Sequence, residues 1–445
     1  MYGTTQPYRG YTPQAAPGRP NSLFAIGGMG NAYLAFAAIT TSLVFYAFIA
    51  DLMGPAGESV RLGAIVVAAA LAVTGAAICL WRGLLLPAFV SVAGLLSIFT
   101  SLYVFSMNSG VPFTFNSGGE YVGIGFTGLF ALTLQDRTYG RLMRWFFYLC
   151  CIYVVFYVAA SLALRLGLVG TGGVSRAIAS ADDAGRGDRL HAAALLMVYG
   201  TAYSVLRVRS DFRMIYLAWA IMFLVGWFLT GSRTIVVVII PVLLAYLVWK
   251  NPKALGKLGF LAFMTGIVLS MMIIINPELN PFLYFGDQSA SVRTNSIDIA
   301  SQKIGDFLIT GAGISFGIEN YKPISGITYF FPGDIGMIGI FFVYGLPGLL
   351  LYILICYLGC TSYARIVAKG YSSDIATSVM LTAVILSLYS LQAPMFNGGS
   401  SGVLFATMFI ALALDKTAIG RASQRRAGTP SGVHPSSGNF YRLRR

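Results

Sequence analysis

Charge is scarce in this chain, so where it falls is informative. Asp, Glu, Lys and Arg make up 10% of the 445 residues. One arginine, Arg233, stands in the turn Thr230-Gly231-Ser232-Arg233-Thr234, at the start of an apolar run. A cation gains nothing from its own helix there, because the macrodipole favours anions at that end. An anion among the free N–H groups would be held both by the helix terminus and by the guanidinium, with Ser232 alongside. A phosphate or pyrophosphate suits such a place, since arginine binds these groups bidentately. The plainer reading is an arginine that snorkels to lipid headgroups beside a span.

The stretch from Asn276 to Asp334 is polar and glycine-studded, between two apolar runs. It holds Glu278, Asp287, Arg293, Asp298, Lys303, Asp306, Glu319 and Lys322. Arg293, in Ser291-Val292-Arg293-Thr294, is read as a loop residue far from any predicted helix end. It is either a second anion ligand or a solvated loop charge. Asp334 precedes an apolar run and suits an N-terminal cap. As a catalytic group it would accept a proton from a hydroxyl, and Glu319 is the competing carboxylate. Arg176 and Arg189, in the segment Arg165–Arg189, are further candidate anion ligands. Gly311-Ala312-Gly313-Ile314-Ser315-Phe316-Gly317 lacks the Gly-Lys-Ser/Thr ending of a phosphate loop. It reads better as a turn that brings backbone close to a ligand or another helix.

The elements that must position these residues are membrane helices. Hydrophobic residues make up 57% of the chain, and mean hydropathy is +0.74. Long apolar runs without period-2 alternation exclude a barrel and leave a helical bundle. The expected fold class is all-α, with about twelve transmembrane helices. The runs are 29–50, 63–80, 84–105, 121–134, 142–164, 191–206, 212–229, 234–249, 258–275, 335–358, 375–391 and 403–414. This divides the chain into a disordered N-terminal tail (1–28), nine spans (29–275), one long outer loop (276–334), three spans (335–415) and a basic C-terminal tail (416–445). The tail 1–28 lacks the order of a cleaved signal peptide.

Orientation follows from the basic residues. With both termini inside, 21 of the 30 Lys and Arg fall on the inner side, and 12 of the 16 Asp and Glu on the outer. The net charge of +14 is thereby explained by topology, and nucleic-acid binding is not expected. Anionic inner-leaflet lipid would attract the basic C-terminal tail. Five cysteines in or beside apolar runs, none in a CxxC pair, and two histidines argue against a metal centre. The predicted spans hold almost no charge at their centres, which argues against an ion-coupled carrier and for chemistry at the outer surface.

Leu229-Thr230-Gly231-Ser232-Arg233-Thr234 resembles the start of a helix in the O-antigen polymerase and O-antigen ligase superfamily. In that superfamily a long periplasmic loop follows, with an arginine near its start and a Gly-x-Gly further on. Arg293 and Gly311-Ala312-Gly313 match in order and rough spacing. Gly333-Asp334-Ile335-Gly336-Met337-Ile338-Gly339, followed by Tyr344-Gly345-Leu346-Pro347-Gly348, is similar to the close of that loop in exopolysaccharide polymerases. The resemblance runs from about Gly226 to Leu351. It implies a GT-C-like glycosyltransferase of the bacterial inner membrane, multi-pass with both termini cytoplasmic. Its donor would be an undecaprenyl-pyrophosphate-linked oligosaccharide, used with no metal or other cofactor. Arg233 and Arg293 would hold the pyrophosphate. Membrane lipid, a chain-length regulator and export proteins would be its other partners. The ligase branch carries a His-Asn pair late in the loop, whereas this chain has no His between 192 and 433. That favours a polymerase joining repeat units into exopolysaccharide or O-antigen. The alternatives are a ligase and a non-enzymatic flippase or transporter of lipid-linked oligosaccharide.

Overall fold

The computed structural model describes residues 28–50, 53, 56–112, 115–168, 178–179, 189–190, 195–249, 251–284, 288–315, 321–397 and 400–414. The side chains at 47–48, 115–117, 178–179, 189–190, 233, 288–289, 397 and 400 lie outside this description. Each of the twelve apolar runs overlaps a helix. These are α1 (Gly28–Thr40, continued as a π-helix over Thr41–Ile49), α2 (Gly57–Trp81), α3 (Leu85–Ser109), α4 (Thr127–Gln135), α5 (Tyr139–Arg165), α6 (Leu196–Asp211), α7 (Met214–Thr230), α8 (Arg233–Val248) and α9 (Pro252–Ile275). A polar helix α10 (Gln288–Lys303) follows, then α11 (Gly336–Cys360), the short α12 (Ser362–Ala368), α13 (Ser373–Tyr389) and α14 (Ser400–Leu414). Among the described residues, six helices are long and apolar enough to cross a membrane. Four shorter apolar helices, Met214–Thr230, Thr234–Val248, Ser373–Tyr389 and Ser401–Leu414, accompany them. This is a multi-pass membrane protein.

Three local readings need correction. The polar stretch 276–334 is not a plain loop. Arg293 sits inside α10, whose Ala290, Ile297 and Ala300 are buried and recur at helical spacing on a mostly polar background, too sparse a pattern to announce a helix. The run 121–134 is only partly α-helical, because residues Phe115–Phe126 form a 3-10 helix before α4. Glycines at 118, 119, 123 and 125 weaken an α-helix there. A 3-10 segment rises faster, so the combined element still reaches about 37 Å. Finally, Ile178–Ala179 and Arg189–Leu190 pair as two-residue antiparallel strands, a small exception to the all-α class.

At the centre lies α13, buried from Ile375 to Ser387 and packed against α6, α8, α9 and α11. Two of its hydroxyls are turned back on its own backbone. Ser378 donates to the Ile375 carbonyl at 3.0 Å, and Thr382 donates to Ser378 at 2.8 Å. Polar groups so satisfied are tolerated where no water is available. Both ends of this helix matter below. Asp374 stands at its start and Tyr389 at its close.

The other positioning element is a break in α11. Gly345 has φ 66° and ψ −172°, and Pro347 follows with no N–H to give. The groups freed there bind the glycine-rich segment of the preceding stretch. Ala312 N–H donates to the Phe342 carbonyl at 2.8 Å, Gly313 N–H to Val343 at 3.0 Å, and Leu346 N–H to Leu308 at 2.8 Å. On its other side, Ile314 N–H meets the Ser101 carbonyl of α3 at 3.3 Å. The close-approach reading of Gly311-Ala312-Gly313 therefore holds, and its neighbours are two helices.

Candidate active site

Residues distant in sequence meet at the close of α13. The turn between α7 and α8 begins with Gly231 in the left-handed conformation, φ 64°, which a glycine enters without strain. Thr230 Oγ1 accepts from Ser232 N–H at 3.1 Å and donates to the Trp227 carbonyl at 2.8 Å, fixing the turn. Ser232 occupies the N-cap of α8 but makes no side-chain capping bond. Its hydroxyl instead shares a hydrogen bond with that of Tyr389. The first-turn N–H groups of α8 thus have no cap from Ser232, the condition under which a helix start accepts an anion. Arg233 is the first residue of this helix, and its side chain lies outside the described residues.

Tyr389 also lies within electrostatic reach of both Asp334 and Arg293. Backbone packing explains the convergence. Gly336 lies so close to the chain just past Tyr389 that a Cβ there would come 2.0 Å from the Leu391 carbonyl oxygen. Two residues earlier, Asp334 closes a 3-10 turn, Pro332–Asp334. That turn is tied to α10 by Phe331 N–H donating to Ser296 Oγ at 3.3 Å. Ser296 lies one turn beyond Arg293 on the same helix. Arg293 is half-buried, with its Cζ 5.4 Å from the Phe282 ring centroid. Its Nε is buried with no hydrogen-bond partner among the described residues. Ile335 holds the N-cap of α11 and makes no side-chain capping bond, and Asp334 stands one residue before it.

The structure therefore brings together Ser232, Arg293 and Asp334. It places Arg189 only by its backbone, in the short strand opposite Ala179. Arg176 and Glu319 lie outside the described residues. Tyr389 was missed, since a tyrosine closing an apolar helix gives no chemical signal. Replacing it with phenylalanine removes one hydroxyl, so a loss of about 1 kcal/mol in unfolding free energy is expected in a detergent melt.

An aromatic hollow of about 160 Å³ adjoins this cluster, lined by Tyr121, Tyr321, Phe330, Tyr344 and Phe396 together with Pro332 and Gly333 of the Asp334 turn. The Tyr121 and Tyr344 hydroxyls are hydrogen-bonded to each other, with Glu120 close enough to act on both. Tyr321 donates to the Gly313 carbonyl at 2.9 Å and accepts from Ser315 N–H at 3.2 Å. Burial pushes its phenol well above the ordinary value, so it stays neutral. Glu120 and this aromatic group were also overlooked, because they straddle three separate stretches of sequence.

Residues 218–353 match the family model described as O-antigen ligase. Over that span the chain is similar to the O-antigen ligase family. The match covers less than a third of the chain. It contains the whole span over which the motifs resemble that superfamily, including Ser232, Arg233, Arg293 and Asp334. Tyr389, Glu120 and Tyr121 fall outside the O-antigen ligase match. No curated protein matches the chain.

Proposed function

We propose that this protein is a polymerase that joins undecaprenyl-pyrophosphate-linked oligosaccharide repeats at the periplasmic face of the inner membrane. The observation that carries the reading is the meeting of Ser232, Arg293 and Asp334 around Tyr389. In the proposed reaction, an acceptor hydroxyl oxygen attacks the anomeric carbon at the reducing end of the growing chain. The bond from that carbon to the pyrophosphate oxygen breaks, and its electron pair leaves with the lipid pyrophosphate. Arg293, the start of α8 and Arg233 stabilise the charge that develops on the leaving group. Asp334 takes the acceptor's proton, and the aromatic hollow beside it offers ring faces to the apolar faces of sugars. Because the leaving group is already good, Asp334→Asn is expected to slow polymerisation by about 10²-fold, the low end for a general base.

Twelve crossings and a periplasmic site are supported by how contacts sort between the two ends. Asn31, Arg82 and Asp136 are joined at one end, with Arg82 to Asp136 at 2.7 Å. Arg207 pairs with Asp374 at 2.8 Å at that same predicted inner end. The Ser232, Arg293 and Asp334 cluster draws only on stretches assigned to the outer side. A ligase is the second reading, favoured by the description of the matching family. It differs in transferring the glycan once to another acceptor.

The experiment is a cell assay of Arg233→Ala and Arg293→Ala, each in correctly inserted protein. Single repeats stranded on lipid outside the membrane support the proposal. Accumulation inside would indicate flipping, and unchanged polymer yield and chain length would refute the pyrophosphate clamp. In the wild type, product length separates a polymerase from a ligase.

A further inference from the structure

The opposite end of the bundle holds a second feature that the glycan reaction does not use. A hollow of about 840 Å³ opens among the starts of α1, α5, α7 and α13 and the close of α6. Arg137, Arg141, Arg144 and Arg207 line it, and Asp374 is its sole lining carboxylate among the described residues. Asp374 is already committed, since it pairs with Arg207 at 2.8 Å, and Asp211 pairs with the same arginine. Even so, the Arg207 Nε is buried with no hydrogen-bond partner among the described residues. Three exposed guanidinium groups, those of Arg137, Arg141 and Arg144, thus line one polar hollow with no carboxylate partner among the described residues, an arrangement suited to an anion between them.

Residues 1–27, which join at Gly28 on the cavity wall, contain no Asp or Glu. Residues 416–445 contain none either. Asp415, just past the close of α14, is a further carboxylate and lies outside the described residues. The setting fits a lipid-water boundary. Trp145, next to Arg144, stacks on Tyr33 at 5.0 Å, and Tyr148 lines the hollow while remaining 60% exposed. Asp374 and Tyr389 stand at the two ends of α13, which puts this hollow about 22 Å from the proposed glycan-transfer site.

We propose that this hollow is a separate binding site for a phosphate-bearing anion, held by Arg137, Arg141 and Arg144 with Arg207 behind them. A phosphodiester lipid headgroup and free inorganic phosphate share this chemistry. The boundary position, with an exposed tyrosine in the wall, favours the headgroup.

The test uses the full chain in nanodiscs of phosphatidylcholine alone, of phosphatidylcholine with phosphatidylglycerol, and of phosphatidylcholine with added inorganic phosphate. Wild type and Arg293→Gln, altered at the other end, are expected to unfold at a higher temperature with phosphatidylglycerol. The double variant Arg141→Gln/Arg144→Gln is expected to lose that rise. A rise with inorganic phosphate, lost in the same variant, keeps the site but makes its ligand a soluble anion. If the double variant keeps the wild-type rise, or wild type shows none with either probe, the site is refuted. Should the double variant not fold, Arg137→Gln, on a turn outside any helix, is tested for the same loss, with retained phosphatidylglycerol counted by native mass spectrometry.

Discussion

Arg293→Gln is expected to reduce polymer formation by about 10³-fold, in turnover more than in apparent substrate affinity. The guanidinium is the one described cation at the meeting point of α8, α10 and the Asp334 turn. Its half-buried position against Phe282 makes its charge count for more than a solvated one would. Charge on the pyrophosphate grows as the glycosidic bond breaks, so a donor aimed there acts mainly in the transition state. Glutamine keeps length and a hydrogen-bonding head but removes the charge. Single-turnover rates on a purified lipid-linked donor would check this. A loss below tenfold, or one confined to affinity, would move Arg293 out of the reacting centre.

Gly345→Ala is expected to be the most damaging substitution for stability, by about 3 kcal/mol or more. At φ 66° an added Cβ is strained in itself. It would also come 2.5 Å from the Ile309 carbonyl oxygen and 2.9 Å from the Gly311 nitrogen. Both are backbone atoms that cannot swing aside as a side-chain tip can. Three hydrogen bonds knit this break to the segment 308–313, so displacement would loosen them together. The unfolding midpoint in detergent should fall by many degrees, or the variant should fail to accumulate. A midpoint within a degree or two of wild type would show that the break can close into regular helix.

The helices were legible in the sequence because burial in lipid demands long apolar runs, and such runs have few other readings. The helix start at Ser232-Arg233 was legible too, since charge beside an apolar run is rare enough to need a reason. Helix α10 was not, because its buried face rests on two alanines and one isoleucine among polar neighbours. Tyr389 and Glu120 escaped notice for a different reason. Their neighbours come from elements distant in sequence, and no local pattern encodes that. A 3-10 turn ends at Asp334 and puts the N-cap of α11 at Ile335, one residue later than the sequence suggested.

The break in α11 also constrains how the protein is made. Gly345 lies about 14 Å along a helix that must sit in hydrocarbon. The carbonyls of Phe342 and Val343 and the N–H of Leu346 take partners from a stretch translated some thirty residues earlier. Until that stretch is tucked in, this helix would leave the translocon carrying bare peptide groups, which lipid does not accept. The segment 308–313 and this helix must therefore mature together, since each supplies the partners that the other's peptide groups need.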